Sequence, residues 1–178
     1  MHISDSFVVP VDIDSAWAAL LDVERVAPCM PGATLQTFDG DAFTGTVAVK
    51  LGALSMKYQG SGRFLERDIA ARKVALEASG RESRGAGAAA ATVVATLREE
   101  GDQTRVDVDT DLNVSGRAAQ FGRGVMNDVA GRLLGQFANA LAEQLASGPT
   151  SPGGTDAIES ASTGSPLVRS SSVTPSAA

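Results

Sequence analysis

The stretch 106–145, VDVDTDLNVSGRAAQFGRGVMNDVAGRLLGQFANALAEQL, decides the fold. Val106, Val108, Leu112 and Val114 alternate with Asp107, Asp109, Asp111 and Asn113, the period of a strand with one wet face. From Gly116 to about Leu145 the period changes. Met126, Val129, Ala130, Leu133, Phe137, Ala140 and Leu141 recur at helical spacing and make one apolar stripe, with Arg123, Asp128, Arg132, Gln136 and Glu143 largely off it. A strand with one apolar face therefore runs straight into a long helix with one apolar face, and the two must bury each other.

Working back from this stretch, every segment reads as a strand until Gly32. The turn Glu100-Gly101-Asp102 precedes the last strand, and Ala86–Glu99 and Lys73–Glu82 precede that turn. In the next strand Met56, Tyr58, Gly60, Gly62 and Phe64 share one face, with Lys57, Gln59, Ser61 and Arg63 on the other. Phe43–Leu51 alternates likewise, and Leu35–Phe38 leads into it through Asp39-Gly40-Asp41. Short turns between successive strands imply an antiparallel meander. A first strand from near Ile3 to Val9 ends at Pro10. Asp12 is placed to cap a helix over 13–21 in which Ile13, Ala16, Trp17, Leu20 and Leu21 share a face. A second short helix covers 23–27, stopped by Pro28 and Met30-Pro31-Gly32. The expected fold is α+β: about seven curved antiparallel strands around a long C-terminal helix, with two short helices after the first strand. That domain spans 1–146. In 147–178, 25 of 32 residues are Ser, Thr, Pro, Gly or Ala, too little apolar surface to offset ordering, so a disordered tail is expected.

Composition removes several functions. The net charge is −6 on 178 residues, which argues against binding nucleic acid through phosphates. Cys29 is the only cysteine and His2 the only histidine, so Cys–His and Ser–His–Asp catalysis and cysteine-cluster metal sites lack their parts. Asp107, Asp109 and Asp111 begin like a calcium loop, but Leu112 and Ala118 stand where glycine and glutamate belong. Gly85-Ala86-Gly87-Ala88-Ala89-Ala90 matches a dinucleotide pattern without its βαβ context. No leader or membrane-spanning run is visible, so a cytoplasmic protein, at most peripheral at the membrane, is expected.

Small residues crowd the inward faces: Gly60 and Gly62, Ala88–Ala91, and Gly122, Gly124, Gly131 and Gly135 on the long helix. With only 4% aromatic residues, two readings stand: close packing with a full core, or room for an apolar guest. The candidate wall is Val49, Met56, Tyr58 and Phe64 from the sheet, and Phe121, Met126, Val129, Leu133 and Phe137 from the helix. Tyr58 adds a hydroxyl for a ligand carbonyl. Trp17 reads as the anchor of the first helix, Cys29 as part of a loop at the pocket mouth, and Arg117, Arg123 and Arg132 as a strip along the helix. The nearest candidate acids, Glu66, Asp68 and Glu77, read as outward or loop residues.

Several separated motifs, in order, resemble the carbon monoxide dehydrogenase G-subunit (CoxG) family: Cys29-Met30-Pro31-Gly32-Ala33, Gly40-Asp41-Ala42-Phe43-Thr44-Gly45, Lys50-Leu51-Gly52, Tyr58-Gln59-Gly60, Gly80 to Gly87, and above all Val114-Ser115-Gly116-Arg117-Ala118-Ala119-Gln120-Phe121-Gly122 ahead of Gln136-Phe137. The resemblance covers about 1–146. It implies a Bet v 1-like helix-grip fold of the SRPBCC or START-like superfamily, with a hydrophobic ligand between sheet and helix. It also implies a non-catalytic accessory of a molybdenum carbon monoxide dehydrogenase or related hydroxylase, linked to the cytoplasmic membrane. The expected ligand is a respiratory quinone such as menaquinone, or another lipid, with no covalent cofactor, no metal and no nucleic-acid partner. A ligand-free membrane adaptor and a polyketide-cyclase-like enzyme are the alternatives.

Overall fold

The computed structural model describes residues 1–147. The expected 147–178 tail lies outside them apart from Ser147. One seven-stranded antiparallel sheet runs in the order β1-β7-β6-β5-β4-β3-β2. Its strands are β1 (His2–Val9), β2 (Ala33–Phe38), β3 (Ala42–Leu51), β4 (Leu54–Asp68), β5 (Lys73–Glu82), β6 (Ala88–Glu100) and β7 (Gln103–Val114). The helices are α1 (Ile13–Leu21), α2 (Val23–Val26) and α3 (Arg123–Ala146). The meander from β2 to β7 is the expected one. Register shifts at Leu35/Thr37 and Phe64/Glu66 bulge the sheet and bend it.

Local chemistry explains the ends. The Asp12 carboxylate accepts the Ser15 amide at 3.1 Å and caps α1; that of Asp22 accepts the Arg25 amide and caps α2. After Val26 the chain tightens into a 3-10 turn over Ala27–Cys29, so Pro28 reshapes the expected helix end instead of following it.

The larger difference is at the other helix. α3 begins at Arg123, not at Gly116; Gly116–Gln120 form a 3-10 turn. Gly116 has φ +79, and a Cβ there would lie 2.5 Å from the Gly87 Cα. The link from β7 to α3 thus presses backbone to backbone on the β5–β6 hairpin. A helix started at Gly116 would lose that contact.

The interior has two halves. At the C-terminal end of α3 lies a dry core of Val9, Trp17, Leu97, Val106, Phe137, Leu141 and Leu145. Trp17 anchors α1 there, as its position on the helix face implies. Phe7 meets Phe137 edge-on at 5.8 Å. Gln144 binds Arg25 twice, taking its Nε–H and donating to its carbonyl, which ties α3 to α2. At the N-terminal end of α3, a second cluster of Leu51, Met56 and Ala118 packs with Tyr58, Phe121 and Met126. Between the two clusters the helix stands off the sheet.

Candidate functional site

That gap is a half-open cavity of about 480 Å³. Its origin can be traced strand by strand. Gly45 in β3 pairs with Gly60 in β4, Gly60 with Gly80 in β5, and Gly80 with Ala89 in β6. Because side chains alternate across a sheet, these four positions share the inner face. A row that should carry four side chains carries one methyl group, and the floor of the cavity is largely backbone. The next inner row continues the economy: Ala78 pairs with Ala91. Gly62 is different. A Cβ there would lie 2.4 Å from Cζ of Phe43, so this glycine seats an aromatic ring and does not line the void.

Val49, Met56, Tyr58 and Phe64 from the sheet, and Met126, Val129, Leu133 and Phe137 from α3, all line the cavity. Phe121 does not; it ends the 3-10 turn and packs into the cluster around Leu51, Met56 and Ala118. The difference follows from reading Gly116–Gln120 as regular helix. The helix glycines do not make the room expected of them: a Cβ on Gly122, Gly124 or Gly135 would meet nothing within 4 Å, and none of them lines the cavity. Met30, which with Met56 and Met126 reads from sequence as suited either to an adaptable pocket or to an ordinary core, joins the wall; Gly45, Gly80, Leu20, Val23 and Val26, which lie outside the expected wall, complete it. Strand pairing is the signal that finds Gly45 and Gly80.

The wall is almost wholly apolar. Tyr58 is its polar side chain on the inner face; Thr34, Thr44, Thr46, Ser61 and Ser79 border it from the outward positions of their strands, and no Asp, Glu, His, Lys or Arg lines it among the described residues. Among the described residues the Tyr58 hydroxyl has only a weak acceptor, Sδ of Met56 at 3.7 Å. Burial raises its pKa, partly offset by the Arg117 charge, so the phenol stays a neutral donor.

Just beyond the wall lies a polar device that spacing and composition do not reveal. Glu82 pairs with Tyr58 across β4 and β5, on the inner face, and its side chain is 1% exposed. It forms an ion pair with Arg117 from the 3-10 turn. A Cβ on Gly85 or on Gly87 would come within 2.9 Å of Oε2 of Glu82. The glycines that imitate a dinucleotide loop therefore let a hairpin wrap a buried carboxylate. This is the inward acid, not Glu66, Asp68 or Glu77. Arg117 correspondingly leaves the expected helix strip and joins Glu82.

Cys29 is buried in the 3-10 turn within the dry core and does not line the cavity. Burial pushes its thiol up, against the opposing charge of Arg25, which disfavours the thiolate. Asp107 pairs with Arg98 and Arg105, and Asp109 and Asp111 with His2. Among the described residues no group of His, Cys, Asp and Glu is gathered to hold a metal ion.

A sheet closed by one long helix over an apolar cavity defines a helix-grip protein of the Bet v 1-like class. The chain belongs to the carbon monoxide dehydrogenase G-subunit (CoxG) family, whose model matches residues 6–146. Among solved structures it is similar to a conserved protein from Geobacillus kaustophilus, with TM-score 0.74 at 19% identity over 83% of this chain and 96% of that one. It is also similar to the Zhui aromatase/cyclase from Streptomyces sp. R1128, with TM-score 0.57 at 14% identity over 82% and 95%. Ara h 8.0201 gives TM-score 0.57 at 15% identity over 83% and 98%. At these identities the likeness is one of fold. No curated protein matches the chain.

Proposed function

We propose that this protein is an accessory of a carbon monoxide dehydrogenase or related molybdenum hydroxylase, and that it carries a hydrophobic guest in the cavity. The observation behind this reading is the roughly 480 Å³ apolar hollow floored by the Gly45, Gly60, Gly80 and Ala89 row in a chain of this family. A dry adaptor has no use for an inner face stripped of side chains, because each void forfeits packing.

The guest is a respiratory quinone, menaquinone being the leading candidate, taken from the cytoplasmic membrane and presented to the enzyme. Its ring and first isoprenoid units suit the apolar wall, and each Å² of apolar surface removed from water contributes about 25 cal/mol. Tyr58 donates its hydroxyl proton to a carbonyl oxygen of the ring, the only polar end such a molecule has. Val49, Met56, Phe64, Met126, Val129, Leu133 and Phe137 enclose the rest. Redox chemistry belongs to the quinone and the partner's cofactors.

A cyclase-like activity has the same fold behind it, as the Streptomyces neighbour illustrates. The wall offers it little: Tyr58 is the one titratable side chain that lines the cavity among the described residues, and its pKa is raised. The test is uptake of menaquinone by lipid-stripped protein. Saturable one-to-one binding is expected; no binding, with a short-chain polyketide turned over instead, would reverse the order of the two readings.

A further inference from the structure

The chain is acidic overall, yet one end of the domain is basic. Three connections meet at the N-terminal end of α3: the β3–β4 hairpin, the β5–β6 hairpin, and the 3-10 link from β7. These connections and the strand ends beside them carry Lys50, Lys57, Arg81, Arg84, Arg117 and Arg123. The one carboxylate among them is Glu82, buried and already paired with Arg117. The other bases, apart from Arg117, make no salt bridge among the described residues, and all are exposed. At the opposite end the acids outnumber the bases: Asp14, Asp22, Glu24, Asp39, Asp41, Asp68, Glu99, Glu100 and Asp102 stand there with Arg25, Arg67, Arg72, Lys73 and Arg98.

We propose that the end bearing Lys50, Lys57, Arg81, Arg84 and Arg123 is the face that docks on an anionic phospholipid surface. This rests on the carrier reading above and names the surface through which it meets the bilayer. The charges stand at one end on three separate connections, which suits a laterally uniform sheet of phosphates better than a shaped protein pocket. The acidic end is repelled by the same surface, so the chain is oriented despite its net −6. Beside these links lies the cluster that bounds the cavity at this end, Leu51, Met56 and Ala118 with Tyr58, Phe121 and Met126. A docked lipid surface therefore lies beside this end of the cavity.

The experiment is co-sedimentation of the full chain with vesicles of phosphatidylcholine and phosphatidylglycerol, two parts to one, against phosphatidylcholine alone. Binding is expected only to the anionic vesicles and is lost as salt is raised. Lys50→Gln and Arg84→Gln, which lie outside the cavity wall, should each weaken it about fivefold. Arg132→Gln, mid-helix, should leave it unchanged. Equal binding to both vesicles, no binding to either, or equal effects of all three substitutions overturns the proposal. So does unaltered vesicle binding with loss of dehydrogenase binding, which would assign the basic end to the enzyme. Quinone uptake is measured on the same variants in detergent. If uptake persists while anionic binding is absent, the docking face fails and the carrier reading stands.

Discussion

Gly60 in β4 lies directly opposite Gly80 in β5, and a Cβ on Gly60 would lie 1.9 Å from the Ser79 carbonyl oxygen. On Gly80 the nearest atom would be the Gln59 carbonyl oxygen at 3.1 Å. The two glycines share a row but differ in what a methyl group meets. Gly60→Ala strikes backbone that cannot rotate away and should cost about 2 kcal/mol or more. Gly80→Ala needs only a small shift and should cost clearly less. Urea unfolding of both variants checks this; equal losses would mean that the close approach of the Ser79 carbonyl to Gly60 does not set the cost.

The Glu82–Arg117 pair makes a second, independent case. Arg117→Ala leaves a buried carboxylate without its partner. A fully buried pair broken this way costs about 3–5 kcal/mol. The Arg117 side chain is 46% exposed, so water offsets part of that, and about 2 kcal/mol is expected. Glu82→Met with Arg117→Met should recover most of the loss, because no charge is stranded. If the double substitution is as unstable as the single one, the pair holds the link by shape and not by charge.

Tyr58→Phe removes a hydroxyl whose only partner among the described residues is the Met56 sulfur at 3.7 Å. Thermal stability should therefore hold. A guest accepting the hydroxyl hydrogen should lose about 1 kcal/mol, or roughly fivefold in affinity. A guest without an oxygen acceptor should bind both forms alike. Unchanged menaquinone affinity would remove Tyr58 from the site.

Stability should respond to acid in one direction. Asp12, Asp39 and Asp107 all have carboxyls held below the usual 3.8: by Ser15, by the amides of Ala42 and Asp41, and by Arg98 and Arg105. A carboxyl lowered on folding stabilises fully above its unfolded value, and that contribution is lost as pH falls through the folded value. Tm should be flat from about pH 7 to about pH 5 and should fall below about pH 4. A drop between the two upper values would point to a different titrating group.

The fold is legible because period-two and helical spacing change sharply at the turns, and because Asp12 and Pro10 mark a helix start. The cavity is half legible. Gly60 stands out on a regular strand, but Gly45 and Gly80 gain meaning only when pairing puts them in one row. Helix glycines such as Gly124 and Gly135 mislead for the same reason: spacing alone does not show that they face open space. Gly116 reads as helical because nothing local reveals that Gly87, distant in sequence, presses against it. Glu82 stays hidden because a buried acid looks like a solvated one until its arginine is in place.

The central claim is that the cavity carries a lipid-soluble quinone. Native mass spectrometry with solvent extraction tests it most directly, on the full chain and on Leu133→Trp, which projects an indole into the hollow from α3. The account predicts one long-chain quinone per protein, taken up from added menaquinone if lost on purification. It predicts an empty but stably folded Leu133→Trp variant. Protein that neither holds nor takes up any quinone, or a filled variant that binds it as well as the parent, would contradict the account.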